Sequence, residues 1–220
     1  GGQTFSVQGA TALQTGIWYH VAAVFDDPNN AAYIYLNGVV EASASGMTAT
    51  NISNGPFYLS KSFGARYLDG QMDEVRVWNV ARLQAEIRAN MHQELNGNEA
   101  NLVAYYNSNA TSGTSLTDNS SNSNTGTLTN MAGTEWTPSS AFFGPKNCLD
   151  FDGGDDNVWI SSFTPTLSGT ATISFWIKLN DIPDDNARVI SNGPDYNTGD
   201  EIYLASGVGS IHTANFITGD

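Results

Sequence analysis

The sequence predicts an all-β fold, an antiparallel two-sheet sandwich of jelly-roll type with one short peripheral helix. Three observations carry this. Period-two alternation recurs in short runs, among them WYHVAAVF (18–25), AAYIYL (31–36), MDEVRVW (72–78), LVAYY (102–106) and ATISFWIKL (171–179). A strand sends successive side chains to opposite faces, so each run can lay one face on a core. Clusters of Gly, Asn, Asp, Ser and Pro separate the runs as turns separate sandwich strands. A single segment has a persuasive helical period.

Taken in order, TFSV and WYHVAAVF open the strand pattern. In AAYIYLNGVVEASA, Asn37 and Gly38 sit between two alternating runs. Both central positions of a type I′ turn need positive φ, which Asn and Gly tolerate, so a hairpin is expected there. After FYLSK and MDEVRVW comes the helix, expected from Arg82 to Leu95: Leu83, Ile87, Met91 and Leu95 form one apolar stripe, and Asn96 with Gly97 supplies the stop. Its expected place is across an edge of the sandwich. Residues 107–140 are nearly all polar, and they read as an ordered excursion pinned by Leu116, Leu128 and Trp136. VWIS, ATISFWIKL, RVIS, EIYLA and HTANFI complete the strands.

The chain has 220 residues, enough for one large β domain or two small ones, and 40% apolar composition excludes global disorder. The formal net charge of −14 repels phosphate backbones and anionic lipid, and no basic stripe offsets it. Nucleic acid and membrane surfaces are therefore disfavoured partners. No apolar run approaches the ~20 residues that span a bilayer, so no membrane insertion is expected, and any export signal is expected to lie elsewhere. Cys148 has no second cysteine to pair with and no neighbouring His to activate it, and reads as a buried apolar residue.

The run TGIWYHVAAVFDDPNNAAYIYLNGVV, followed by FYLSK and YLDGQMDEVRVWNVARLQAEI, resembles the second half of a laminin-G-like domain of the concanavalin A-like lectin and glucanase superfamily. The run beginning LVAYYNSNATSG, followed by FFGPKNCLDFDGGDDNVWI and ATISFWIKL, resembles the first half. The halves thus stand in reversed order, residues 1–97 as the C-terminal half and 98–220 as the N-terminal half of one domain equivalent. A permuted single sandwich, a window across two tandem domains, and a subunit completed by its neighbours all account for this order. The permuted reading expects the two chain ends at one hairpin position. Where the family commonly has an aromatic and a carboxylate after its first strand, this chain has Asn107, Ser108 and Asn109.

The stretch LDFDGGDDNVWI (149–160) holds four aspartates within seven positions. Glycosidases need two carboxylates set across a cleft, on this superfamily fold at alternate positions of one strand, and no E-x-D-x-E pattern occurs. Gly153 and Gly154 mark a turn instead. Carboxylates gathered at Asp152, Asp155 and Asp156 repel one another; calcium, which takes six to eight oxygens, would relieve this, and Asx-turn hydrogen bonds account for them equally well. The resemblance implies a structural calcium, with Asp73 the first candidate ligand, joined by Asp152 or the Gly153 carbonyl, and with Asp118 and Asp155 as further candidates. His20, His92 and His212 share no metal-ligand spacing, and His20 reads as a hydrogen-bonded core residue. Sugar-stacking platforms are sought among Tyr67, Trp78, Tyr106, Trp159 and Tyr196, with Tyr196, Trp159 and Tyr67 foremost, while Trp18 and Trp176 read as core. The expected function is a non-catalytic extracellular carbohydrate-binding or adhesion module of a larger secreted or surface protein, its partner a neutral glycan or a cell-surface protein. A spacer or filament repeat assembling with copies of itself is the alternative, and a glycoside hydrolase the third.

Overall fold

The computed structural model describes residues 4–46, 56–61, 66–141, 146–161, 163, 167, 169–192 and 200–216. Its first strands are β1 (Thr4–Gln8), β2 (Trp18–Asp26), β3 (Ala31–Leu36), β4 (Val39–Ser45), β5 (Phe57–Leu59) and β6 (Asp69–Trp78), followed by helix α1 (Gln84–Asn90). Then come β7 (Leu102–Tyr106), β8 (Ser115–Leu116), β9 (Gly126–Thr129), β10 (Trp136–Ser139), β11 (Lys146–Asp152) and β12 (Asn157–Ile160). The last are β13 (Ala171–Leu179), β14 (Ala187–Asn192), β15 (Asp200–Leu204) and β16 (Ile211–Phe216).

Two antiparallel eight-stranded sheets form the predicted sandwich. One runs β1-β16-β15-β14-β5-β12-β9-β8; the other runs β10-β11-β6-β13-β2-β3-β4, with β7 also paired to β6. Inward-facing side chains of both sheets, such as Val21, Phe25, Ile34, Met72, Phe151, Val158, Phe175 and Ile190, fill one core. The strands of residues 1–97 and 98–220 interleave: β5 lies between β14 and β12, and β13 lies between β6 and β2. β1 pairs with β16, Thr4 opposite Phe216 and Gln8 opposite His212, so the first and last described strands are antiparallel neighbours.

The Asn37–Gly38 turn forms as expected, with φ of 50° and 73°. Three other expectations are corrected. The helix is shorter than its apolar stripe, covering Gln84–Asn90, because only Ile87 is fully buried while Leu83 stays 69% exposed. It lies on the outer face of a sheet, not across an edge, since Ile87 packs on Ala22, Val24 and Tyr35 of β2 and β3. The polar segment 107–140 is more regular than an excursion: its three apolar anchors each sit on a short strand, Leu116 on β8, Leu128 on β9 and Trp136 on β10.

β6 holds the second sheet together. One side pairs with β13; the other pairs first with β11 (Asp69 to Met72) and then with β7 (Val75 to Trp78). At the changeover Glu74 adopts a left-handed backbone, φ 53°.

Because β1 and β16 already lie side by side, joining residue 220 to residue 1 through a short flexible linker should raise the melting temperature by several degrees. Closure restricts the unfolded chain while asking little of the folded one. A cyclised chain that melts lower than the linear one would contradict the β1–β16 pairing.

Candidate functional site

Among the described residues the exposed aromatic side chain, Trp159, lies on the outer face of the first sheet. β12 alternates, with Val158 and Ile160 in the core and Trp159 pointing outward, 42% exposed. Register places Tyr58 of β5 on one side of Trp159 and Thr127 of β9 on the other, and Ser115 of β8 beyond Thr127. Ser115, Thr127, Trp159 and Tyr58 therefore form one cross-strand row, ~14 Å long at ~4.8 Å per strand. Lys61 Nζ stands 5.2 Å from the Tyr58 ring centroid. The sequence singled out Trp159. It could not show Tyr58 or Thr127, since only the strand register sets them beside it.

Tyr67 lies elsewhere, in an open groove of about 280 Å³ with Asp69, Asp152, Gly153, Asp181 and Asp184. The FDGGDD stretch is the expected turn. Asp152 ends β11 opposite Asp69, and its Oδ1 accepts the Gly154 N–H at 2.8 Å. Gly153 has φ 76°, and a Cβ there would meet Asp69 Cβ at 2.9 Å, so this corner admits only glycine. Asp155 is exposed, and its carbonyl accepts from the amides of Asn130 and Asn157. Asp156 is buried, and burial pushes its carboxyl up to about 6, the neighbouring carboxylates adding to the shift.

The remaining candidate ligands are spoken for. Asp73 is buried and accepts from Ser139 Oγ and the Glu74 N–H, both at 2.8 Å. Burial raises its carboxyl to about 7, against the Ser139 hydrogen bond and with help from the charge of Glu74. Asp118 accepts four donors: the N–H groups of Tyr105, Ser120 and Asn124, and Ser120 Oγ. It ties β7 to the segment ahead of β9. Asp73 stands four residues along β6 from the partner of Asp152, ~13 Å at ~3.3 Å per residue, whereas calcium ligands sit about 2.3–2.6 Å from the ion. Asp73, Asp118 and the FDGGDD turn are thus three separate places, and the donor set does not fit one ion. Among the described residues no group of three or more His, Cys, Asp or Glu is arranged to hold a metal.

The other sequence readings divide. Tyr196 lies outside the described residues. Trp78 and Tyr106 are packing residues, 2% and 0% exposed, and so offer no platform. Trp176 is core, but Trp18 is half-buried with Lys178 Nζ 5.4 Å from its ring, so it is no core residue. His20 is buried against the Trp176 edge, its ring centroids 5.5 Å apart; burial, with the charges of Arg76 and His92, lowers it to about 3. Its Nδ1 has no hydrogen-bond partner, so the imidazole is less completely bonded than expected. Cys148 is buried and its thiol pushed up to about 11, chiefly by that burial.

Residues 1–88 match the model of a laminin-G-type family of the concanavalin A-like lectin/glucanases superfamily. Over that segment the resemblance read from the sequence is shown, and a carbohydrate-binding or adhesion-type module is the class to which it points. Neither the curated proteins nor the solved structures give a significant match. No helix among the described residues is long and apolar enough to cross a membrane.

Two substitutions test these assignments. Asp118→Ala strands three N–H groups at once and should cost about 3 kcal/mol or more in chemical denaturation, at 1–3 kcal/mol for each unsatisfied buried group. Asp118→Asn, which keeps one acceptor, should cost less. Asp73 keeps its proton in the folded chain where the unfolded chain has lost it, so its contribution is full below its ordinary value of 3.8 and is lost as pH rises through about 7. The stability of the native chain relative to Asp73→Asn should therefore decline between pH 4 and 7; parallel denaturation profiles would refute the assignment.

Proposed function

We propose that this chain is a non-catalytic carbohydrate-binding or adhesion module of a larger secreted or cell-surface protein, and that the row centred on Trp159 holds a neutral oligosaccharide. The observation that carries the reading is the exposed Trp159 set beside Tyr58 and flanked by the hydroxyls of Thr127 and Ser115. Aromatic faces take the C–H faces of sugar rings, and a few hydroxyls beside them fix orientation. The four residues of the row carry no carboxylate, and a glycoside hydrolase needs two flanking the scissile bond. The interleaved halves and the β1–β16 pairing support reading the chain as one domain in permuted order.

One observation favours the alternative of a spacer that assembles with its own copies. β4 closes one sheet as an edge strand and leaves Val39 and Val40 exposed, 57% and 43%, and such an edge can pair with another chain.

A glycan array probed with the native chain and with Trp159→Ala decides between them. The native chain should retain neutral oligosaccharides with and without chelator, and Trp159→Ala should lose them while the chain stays folded, at a cost of about 1–2 kcal/mol for the lost cross-strand aromatic. Silence of the native chain on the array, with sedimentation that rises with concentration, would replace this reading by the spacer.

A further inference from the structure

The row centred on Trp159 is closed at one end. Register carries it beyond Tyr58 to Ser191 of β14 and Glu201 of β15, on the same outer face of the sheet. Trp159 is 42% exposed on that face, yet Ser191 and Glu201 are each only 5% exposed. The backbone after β5 explains the cover. Ser60 has a left-handed conformation, φ 64°, and its N–H donates to the Val189 carbonyl of β14 at 2.9 Å. The chain leaving β5 is thereby turned across β14, where the Lys61 carbonyl accepts the Ser191 hydroxyl. Glu201 in the next position is bound by Arg188, whose Nε donates to it at 2.8 Å. Backbone at Lys61 therefore walls the row just past Tyr58.

The other end is open. Thr127 and Ser115 are exposed, the sheet stops at the edge strand β8, and Gly113 and Thr114 leading into that strand are exposed too. From Tyr58 to Ser115 the accessible part spans ~14 Å at ~4.8 Å per strand, room for about three pyranose rings laid end to end.

Lys61 marks the closed end chemically as well as sterically. Its ammonium stands 5.2 Å from the Tyr58 ring centroid, and Tyr58 lies directly opposite Trp159. Among the described residues it forms no ion pair with a carboxylate. An ammonium carries three N–H donors and no acceptor, which suits the hydroxyl oxygens of a ring lying on Trp159.

A ring from the middle of a polymer would have to continue through the backbone at Lys61, whereas a terminal ring has nothing beyond it. We infer that the Trp159 row binds the end of a neutral glycan chain. The terminal pyranose stacks on Trp159 with free hydroxyls toward the Lys61 ammonium, and the following units run past Thr127 and Ser115 and leave over β8. Lys61 is the residue that reads the terminus. This deepens the carbohydrate-binding reading and rests on it for the class of ligand, but adds a direction that the reading does not require.

The test titrates the native chain by calorimetry with cello-, xylo-, malto-, manno- and N-acetylchito-oligosaccharides of increasing length, and with amylose, linear xylan and linear mannan. In the series that binds, affinity per chain should rise up to about three units and then stay level, and each polymer should saturate at one protein per chain whatever its length. Borohydride reduction of the terminal aldehyde then tells the two ends apart: lost binding assigns the reducing end, and retained binding that still counts ends assigns the other. Lys61→Met keeps the backbone wall and the aliphatic stem, and should weaken end binding about tenfold, as loss of a charge-assisted hydrogen bond does, while Lys61→Arg should stay within about threefold of the native chain. Polymer capacity that grows with chain length, or an affinity indifferent to Lys61→Met, would overturn the inference and spare the row. Absence of Trp159-dependent binding in every series would remove both.

Discussion

Each sheet is assembled from both ends of the chain, and this interleaving governs the rest of the structure. β13 fills the gap between β6 and β2, and β5, only three residues long, has its partners β14 and β12 in the other half. Residues 1–97 alone would leave β2 and β6 with unpaired edges facing each other across an empty strand position. Residues 98–220 alone would lack the strand that joins β14 to β12. Unpaired edges and a bared apolar face are what a folded chain cannot keep in water. The two halves are therefore expected to fold as one cooperative unit. The pairings that define them are distant in sequence, and topologies of that kind close slowly.

Where β6 exchanges β11 for β7, the fold keeps a buried ionic cluster instead of apolar packing. Glu74 and Arg76 are both 2% exposed; Arg76 Nη2 meets Glu74 Oε2 at 2.6 Å, and the Tyr105 hydroxyl donates to the same carboxylate. Burial and the Glu74 charge raise the Tyr105 hydroxyl above its ordinary value. A buried ion pair is weak evidence of net stabilisation, since desolvation offsets the attraction. This one has a further task. The same guanidinium donates to the Asn90 and Gln93 carbonyls, and Trp176 Nε1 donates to the Met91 carbonyl. A seven-residue helix does not persist alone in water; these bonds at its C-terminal end, with Ile87 packed on the sheet, hold it in place.

The sequence was legible where a residue's own chemistry decides the outcome, and opaque where register does. Asn37 and Gly38 announced their turn because both positions need positive φ, and Gly153 its corner because a Cβ would strike Asp69. The alternation of β2 and β13 was plain because both are nine residues long. β8 and β9, two and four residues long, carry one apolar anchor each, too few to show a period. Aromatic residues were the hardest to sort. Trp78, Tyr106 and Trp159 all sit on alternating runs, and only the layers above and below decide that the first two are covered and the third is not. Asp73, Asp118 and Asp152 are grouped by the family resemblance and not by spacing, and among the described residues they do not gather into one group of ligands.

Electrostatics then narrows what such a surface can hold. Of the eight Lys and Arg side chains, Arg76 and Arg188 are buried with Glu74 and Glu201, and Arg66 and Lys146 meet Asp185 and Glu94. Arg82, Lys61 and Lys178 stand over the rings of Trp78, Tyr58 and Trp18. Arg88 lies in the last turn of α1, and among the described residues it forms no ion pair with a carboxylate. Four of the eight cations thus meet a carboxylate while the excess negative charge remains, and at ~0.1 M salt its repulsion still acts over roughly 10 Å. A sulfated or uronic acid-rich chain would meet that repulsion over the surface at large, while at the Trp159 row itself the Lys61 ammonium stands beside Tyr58. A neutral glycan, the ligand proposed for the Trp159 row, would meet none of it, because stacking and hydroxyl contacts act only at touching distance, so the acidity of the chain favours the neutral ligand in that proposal.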